Sequence, residues 1–275
     1  MPEGPEVRRE ADRVQRALKD RVLEEVRFGL ERLQHHGPEL EGRRFLACES
    51  RGKALLCHLE GDRTIYSHNQ LYGKWVAGAR GARARGGRQV RLLLASGNKQ
   101  AILYSASEIE VWETPRLSQQ RYLAKLGPDA LDQRTVPEAL VERLQSASFR
   151  RRSLGALLLD QGFVAGLGNY LRSEILFFSG LHPAWRGLDL SDEEALELAK
   201  QILDRTRQAY ATRGVTNDLD LVAELEGEGW RRFEFRHAVF SRSGQACHWC
   251  GTSIDRVEHG GRRLYLCRTC QPGPA

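Results

Sequence analysis

Methionine is nearly missing from this chain: Met1 is the only one in 275 residues. Long apolar runs are missing too. No stretch of about 18 apolar residues occurs, which excludes a transmembrane helix. The N-terminus, Met1-Pro2-Glu3-Gly4-Pro5-Glu6, has neither the basic start nor the apolar stretch of a secretory signal, so a cytoplasmic protein is expected. No internal repeat is visible, which argues against a solenoid. From Gly227 onward there is no lysine, and eight arginines face only four acidic residues. Acid is likewise absent from the run Arg80, Arg83, Arg85, Arg88 and Arg91. The glycines of that run (Gly78, Gly81, Gly86, Gly87) suggest a solvated loop, although one able to brush phosphates.

What is present is a globular composition, 41% hydrophobic and 28% charged, which excludes a disordered chain. The net charge of +6 and pI near 9.1 favour a polyanionic partner such as nucleic acid. Pro5 suits a first helical turn, and Val7, Ala11, Val14 and Leu18 follow at helical spacing. From about 21 to 112 the texture is β. Seven short strands are predicted, over 22–28, 44–48, 54–59, 63–67, 90–95, 101–105 and 109–112, which suggests a sandwich. Helices are predicted over 136–145, 153–161, 169–178 and 191–213. The last opens on Ser191-Asp192-Glu193-Glu194, a capping-box pattern. The stretch from Arg232 reads as strand-like again. The expected fold is α+β, with a catalytic β-sandwich domain over 1–125, a helical domain over 126–230 and a small finger over 231–275.

Six cysteines fall into two kinds. Cys48 and Cys57 lie in apolar, strand-like stretches and read as buried thiols. Cys247-x2-Cys250 and Cys267-x2-Cys270, sixteen residues apart, have the spacing of a four-thiolate zinc site. A closed four-sulfur shell leaves no position for water, so the single zinc is expected to be structural. His248, inside the first turn, is surplus to that shell and is expected to be exposed. Between the pairs, 253–266 reads as a hairpin with Gly260-Gly261 at its tip and Arg262 and Arg263 just after it. Those arginines suit a DNA groove or phosphate, and equally suit ordinary surface charge.

Removal of Met1 would leave Pro2 as a free secondary amine. Such an amine attacks an aldehyde-level carbon and gives an iminium, an electron sink that promotes elimination at neighbouring sugar carbons. Glu3 and Glu6 flank it and can move protons. By itself, however, Pro-Glu-Gly-Pro-Glu is also an ordinary helix entry.

The first seven residues, joined to the four-cysteine finger, closely resemble the formamidopyrimidine-DNA glycosylase/endonuclease VIII family. The resemblance continues through Arg51-Gly52-Lys53, Tyr66-Ser67-His68-Asn69-Gln70-Leu71-Tyr72-Gly73, Leu157-Leu158-Leu159-Asp160-Gln161 and Gly166-Leu167-Gly168-Asn169-Tyr170. It covers essentially the whole chain, and the blocks in this order are specific.

The resemblance implies a helix–two-turns–helix domain and a bifunctional DNA glycosylase/AP lyase of base excision repair that acts on damaged double-stranded DNA. In that reading Pro2 is the nucleophile, Glu3 the proton donor at the sugar ring, and Lys53 an ammonium near the leaving base and phosphate. Glu6 plays a supporting part. Asn169 and Arg262 hold phosphates beside the extruded nucleotide. Gln70, Leu71 and Tyr72 fill the space it leaves, Leu71 as an apolar wedge and Tyr72 as a stacking platform. The formamidopyrimidine branch uses a methionine there, which a chain whose only methionine is Met1 cannot supply. Oxidised pyrimidines are therefore the expected substrates, with oxidised purines as the alternative. A non-catalytic zinc-finger DNA binder is the rival outside the family, and leaves Pro2, Glu3 and Lys53 unexplained. The protein is expected to be a monomer with no membrane partner. For 212–230 the sequence gives no reading of order or role.

Overall fold

A computed structural model describes residues 2–83 and 86–274; Met1, and Arg85 of the arginine run, lie outside them. The chain divides into two compact units, Met1–Lys125 and Leu126–Ala275.

The first unit opens with α1 (Gly4–Leu18), with Pro5 in its first turn. There follow β1 (Glu25–Phe28), α2 (His36–Leu40), β2 (Phe45–Arg51), β3 (Ala54–Leu59), β4 (Arg63–His68), β5 (Lys74–Ala79), β6 (Val90–Ser96), β7 (Lys99–Tyr104) and β8 (Glu108–Glu113). They form two four-stranded sheets, in the orders β1-β6-β7-β5 and β2-β3-β4-β8, with every pairing antiparallel. The inner faces meet in one core. Val26, Phe28, Leu92, Leu94 and Leu103 come from one sheet; Phe45, Leu55, Cys57, Leu59, Ile65 and Ile109 come from the other. Val7, Ala11, Val14 and Leu18, the apolar repeat read from the sequence, add the buried face of α1. That helix packs on β2 of one sheet and β5 of the other, so it is anchored at both.

The sandwich has eight strands where seven were predicted. The eighth, β5, has the weak strand sequence Lys-Trp-Val-Ala-Gly-Ala and is fixed by pairing along its whole length with β7. Cys48 and Cys57 face each other across β2 and β3 as buried thiols, sulfurs 3.8 Å apart. The arginine run is not a free loop at its ends. Arg80 pairs with Glu25 at 2.6 Å, Arg88 donates to the Tyr72 carbonyl at 2.7 Å, and Arg91 lies within β6.

The second unit contains α3 (Pro137–Gln145), α4 (Leu154–Leu157), α5 (Asn169–Phe178), α6 (Asp192–Ala211), α7 (Leu219–Gly227) and α8 (Arg232–Phe235), then the hairpin β9 (Asp255–His259) and β10 (Arg262–Leu266). The Ser191–Glu194 capping box forms as read, with Glu194 N–H to Ser191 Oγ at 3.2 Å and Ser191 N–H to Glu194 Oε2 at 2.8 Å. The helix predicted over 153–161 is only one turn, α4. Asp160 ends the segment by accepting the Gly162 amide at 2.8 Å, a side-chain turn that competes with helix. The stretch after Arg232 begins with a helical turn, not a strand, and Asp218 caps α7 through the Leu221 amide at 3.0 Å. Leu264 and Leu266 of the hairpin sit in the same core as Leu140, Leu157, Leu171, Ile175, Leu198 and Ile202, so the finger is part of the helical body. No helix among the described residues is long and apolar enough to cross a membrane.

Candidate active site and nucleic-acid interface

In the first unit, Glu3 is the N-cap of α1, in extended backbone and only 3% exposed. Its amide donates to Glu6 Oε2 at 3.1 Å, and Glu6 Oε1 accepts from Arg9 at 2.9 Å. Glu6 therefore locks the helix entry that presents Pro2 and Glu3. Lys53 occupies the two-residue turn between β2 and β3, where Arg51 pairs with Ala54. Gly52, the first of the two, has φ +58°, a conformation that suits glycine at that place in a tight hairpin. Lys53 is buried, not the solvated strand-end lysine that composition alone suggests, and its amide donates to Tyr122 Oη at 2.9 Å. The Tyr122 ring meets His68 edge-on at 5.1 Å. Burial holds the His68 imidazole below its usual pKa; Glu108 opposes this, and the Lys53 charge reinforces it.

The loop between β4 and β5 carries Gln70, Leu71 and Tyr72. Leu71 is 57% exposed and Tyr72 67%, unusual for two large apolar side chains side by side. The loop is closed by the Gly73 amide donating to the Asn69 carbonyl at 2.7 Å. A Cβ on Gly73 would lie 2.5 Å from that carbonyl oxygen, so the closure requires glycine. Gln70 (φ +49°) donates to Glu108 at 3.0 Å and accepts from Ser107 at 2.8 Å.

Beneath this loop lies Glu10, which the sequence reading missed. It sits three residues beyond Val7 on the buried face of α1, and accepts from Asn69 Nδ2 at 2.6 Å. Burial raises its pKa from 4.5 to about 6, while Asn69, the Trp75 amide, Arg13 and Lys74 pull the other way. A carboxyl raised in the fold stabilises most below pH 4.5 and loses that contribution as pH rises through 6. Wild type should therefore lose about 2 kcal/mol relative to Glu10→Gln between pH 4.5 and pH 7.5. Denaturant titrations of both proteins at the two pH values measure this, and an unchanging difference would refute it.

In the second unit, Gly166-Leu167-Gly168 forms a turn held by Gln161, which accepts the Gly166 amide at 3.0 Å and donates to the Leu167 carbonyl at 2.9 Å. Asn169 opens α5 directly after it, at the positive end of the helix dipole. Arg262 and Arg263 are exposed at the start of β10, paired with His259 and Glu258. Two charges inside the otherwise apolar helix Asn-Tyr-Leu-Arg-Ser-Glu-Ile-Leu-Phe-Phe were also overlooked, and that setting was itself the signal. Arg172 is fully buried and donates to the carbonyls of Gly155 at 2.9 Å and Arg263 at 3.0 Å, with longer contacts at 3.5 Å to Asn169 Oδ1 and the Arg262 carbonyl. It ties the opening of α5 to the arginine-bearing hairpin. Glu174, also fully buried, accepts the amides of Ala238, Val239 and Phe240 at 2.8, 2.9 and 2.9 Å and the Thr216 hydroxyl at 2.7 Å.

The sulfurs of Cys247, Cys250, Cys267 and Cys270 all lie within 4.8 Å of one another, two of the separations being 3.9 and 3.3 Å. Tetrahedral zinc with Zn–S of about 2.3 Å needs sulfurs about 3.8 Å apart, so the donor set fits a structural zinc ion. His248 is half-buried between Trp230 and Trp249, not exposed as expected; its ring is 6.3 and 6.2 Å from theirs.

Residues 1–106 match the formamidopyrimidine-DNA glycosylase N-terminal domain, and 126–219 match the formamidopyrimidine-DNA glycosylase H2TH domain. Over 271 residues, 98% of this chain and all of each relative, the chain is 41% identical to endonuclease 8 of Klebsiella pneumoniae and 42% identical to that of Salmonella arizonae. Two solved complexes of Lactococcus lactis Fpg share the fold, each covering 99% of this chain and all of the other. One, with DNA containing N7-benzyl-Fapy-dG, gives a TM-score of 0.81 at 21% identity; the other, with DNA containing an oxidised pyrimidine, gives 0.80 at 22%. The chain belongs to the formamidopyrimidine-DNA glycosylase family, as a homologue of endonuclease 8.

Proposed function

We propose that this protein is a bifunctional DNA glycosylase/AP lyase that removes oxidised pyrimidines from duplex DNA. The observation that carries the reading is the start of the chain: a proline at position 2, followed by a glutamate that is all but inaccessible at the cap of a doubly anchored helix. With Met1 removed, the Pro2 nitrogen bonds to the anomeric carbon of the damaged nucleotide as the bond from that carbon to the base breaks and the base leaves. Glu3 protonates the ring oxygen, the sugar opens, and an iminium remains. Lys53 supplies positive charge beside the leaving base and phosphate. Loss of the C2′ proton next to the iminium expels the 3′ phosphate by β-elimination, and loss of the C4′ proton then expels the 5′ phosphate by δ-elimination, which leaves the strand cut on both sides.

Leu71 enters the stack where the nucleotide was, Tyr72 stacks beside it, and Gln70 completes the void-filling loop. Asn169 at the N-terminus of α5, and Arg262, hold the flanking phosphates. Cys247, Cys250, Cys267 and Cys270 hold one zinc ion, which supplies rigidity to the hairpin and takes no part in the chemistry.

Borohydride reduction during incubation with thymine-glycol duplex should leave protein covalently joined to DNA through Pro2, and 8-oxoguanine duplex should yield far less. Absence of a trapped species on both lesions and on abasic DNA would remove the enzymatic reading. Stronger trapping on 8-oxoguanine would remove the pyrimidine assignment.

A further inference from the structure

The loop that bears Leu71 and Tyr72 has its tip in solvent, yet a wedge must be rigid to replace a base in a stack. Its stems are held from one place. Asn69, buried at the first stem, donates to Glu10 Oε2 at 2.6 Å, and the Trp75 amide, at the second stem, hydrogen-bonds to the same carboxylate. Trp75 is itself pinned, its indole donating to Ser67 Oγ at 3.2 Å. Glu10 lies seven residues after Glu3, two helical turns along α1.

We infer that Glu10 is a positioning residue: its buried carboxylate clamps both stems of the Gln70–Leu71–Tyr72 loop to the helix that presents Pro2 and Glu3. The inference rests on the functional reading above.

A carboxylate is the side chain suited to this. Two donors from separate points of the chain converge on it, and a carboxylate has two oxygens able to accept. Burying it is costly, as its raised pKa records, and an apolar residue would complete the buried face of α1 without that cost. The charged groups facing it are Arg13 on its own helix and Lys74 on β5, and both favour the ionised form. Other tethers of the loop among the described residues, Glu108 and Ser107 on the Gln70 side chain, His68 on the Gln70 amide and Arg88 on the Tyr72 carbonyl, reach it from outside α1. Glu10 alone among these couples wedge and nucleophile through one rigid element.

The test is a double-mutant cycle between Glu10→Ala and Leu71→Ala, read as the single-turnover rate of thymine-glycol excision and the Kd for duplex. Glu10→Ala should slow excision about tenfold and leave Kd within about threefold, because phosphate contacts elsewhere set affinity. If Glu10 acts through the wedge, the double variant should be no slower than the slower single variant. Should Glu10→Ala fail to fold, Asn69→Ser cuts the same clamp from the loop side and must show the same non-additivity with Leu71→Ala. Multiplicative effects, or a loss in Kd as large as the loss in rate, would overturn the inference. Borohydride trapping of wild type on abasic DNA separates the two levels. Without it the functional reading fails; with it and a multiplicative cycle, only the role of Glu10 fails.

Discussion

Glu3→Gln should excise thymine glycol from duplex DNA about a thousandfold more slowly than wild type, with DNA affinity and melting temperature nearly unchanged. The argument is one of isosterism. The amide keeps the size and an acceptor oxygen of the carboxylate, so the entry to α1 survives, held as it is by Glu6 on the Glu3 amide. What it cannot do is carry a proton to the sugar ring oxygen, and without that proton the ring does not open to the iminium. A buried position sharpens the effect, because at 3% exposure solvent has little room to replace the missing acid. A preformed abasic site, whose sugar already equilibrates with an open aldehyde, should suffer less, giving a larger loss in base excision than in strand cleavage. Wild-type rates for the variant on thymine glycol would refute the assigned role of Glu3.

The parts of this molecule legible in its sequence are those whose cause is local. The α1 repeat, the Ser191 capping box and the two Cys-x2-Cys turns are each set by residues three or four apart, and each forms as read. β5 was invisible because its strand character comes from β7, some two dozen residues later, and not from its own glycine-containing sequence. Glu10, Arg172 and Glu174 escaped for the same reason. Each is a charge on an apolar helical face whose shortest hydrogen bonds go to partners between 17 and 91 residues away. A charge on such a face has to be paired, so the sequence flags the position, but only the fold says with what. Lys53 shows the converse. As a single residue it looks like a solvated hairpin lysine, and its burial beside Tyr122 and His68 appears only once the β2–β3 turn, the end of β4 and the segment around Tyr122 are assembled.

Stripping the metal from the finger should unfold the second unit and leave the first intact. A structural zinc in a four-thiolate site contributes about 10–16 kcal/mol of apparent binding free energy, while a whole domain is stable by only about 5–15 kcal/mol. The loss is therefore comparable with the entire stability of the unit. It cannot stay confined to the hairpin, because Leu264 and Leu266 belong to the helical core, the Tyr265 amide donates to Ser173 on α5 at 3.3 Å, and Arg172 bonds to the hairpin carbonyls. Treatment with a strong chelator, or Cys247→Ser, should release one zinc per chain, abolish the cooperative melting of 126–275 and weaken duplex binding by two orders of magnitude or more, roughly the value of several phosphate contacts. The sandwich should retain its own melting transition, since among the described residues its hydrophobic clusters draw on none beyond Leu123. Excision would then fail through lost binding and not through lost Pro2 chemistry, so raising the DNA concentration should recover part of the borohydride-trapped product. Metal-free protein that bound duplex as tightly as the zinc form would show that the four sulfurs hold nothing the fold depends on.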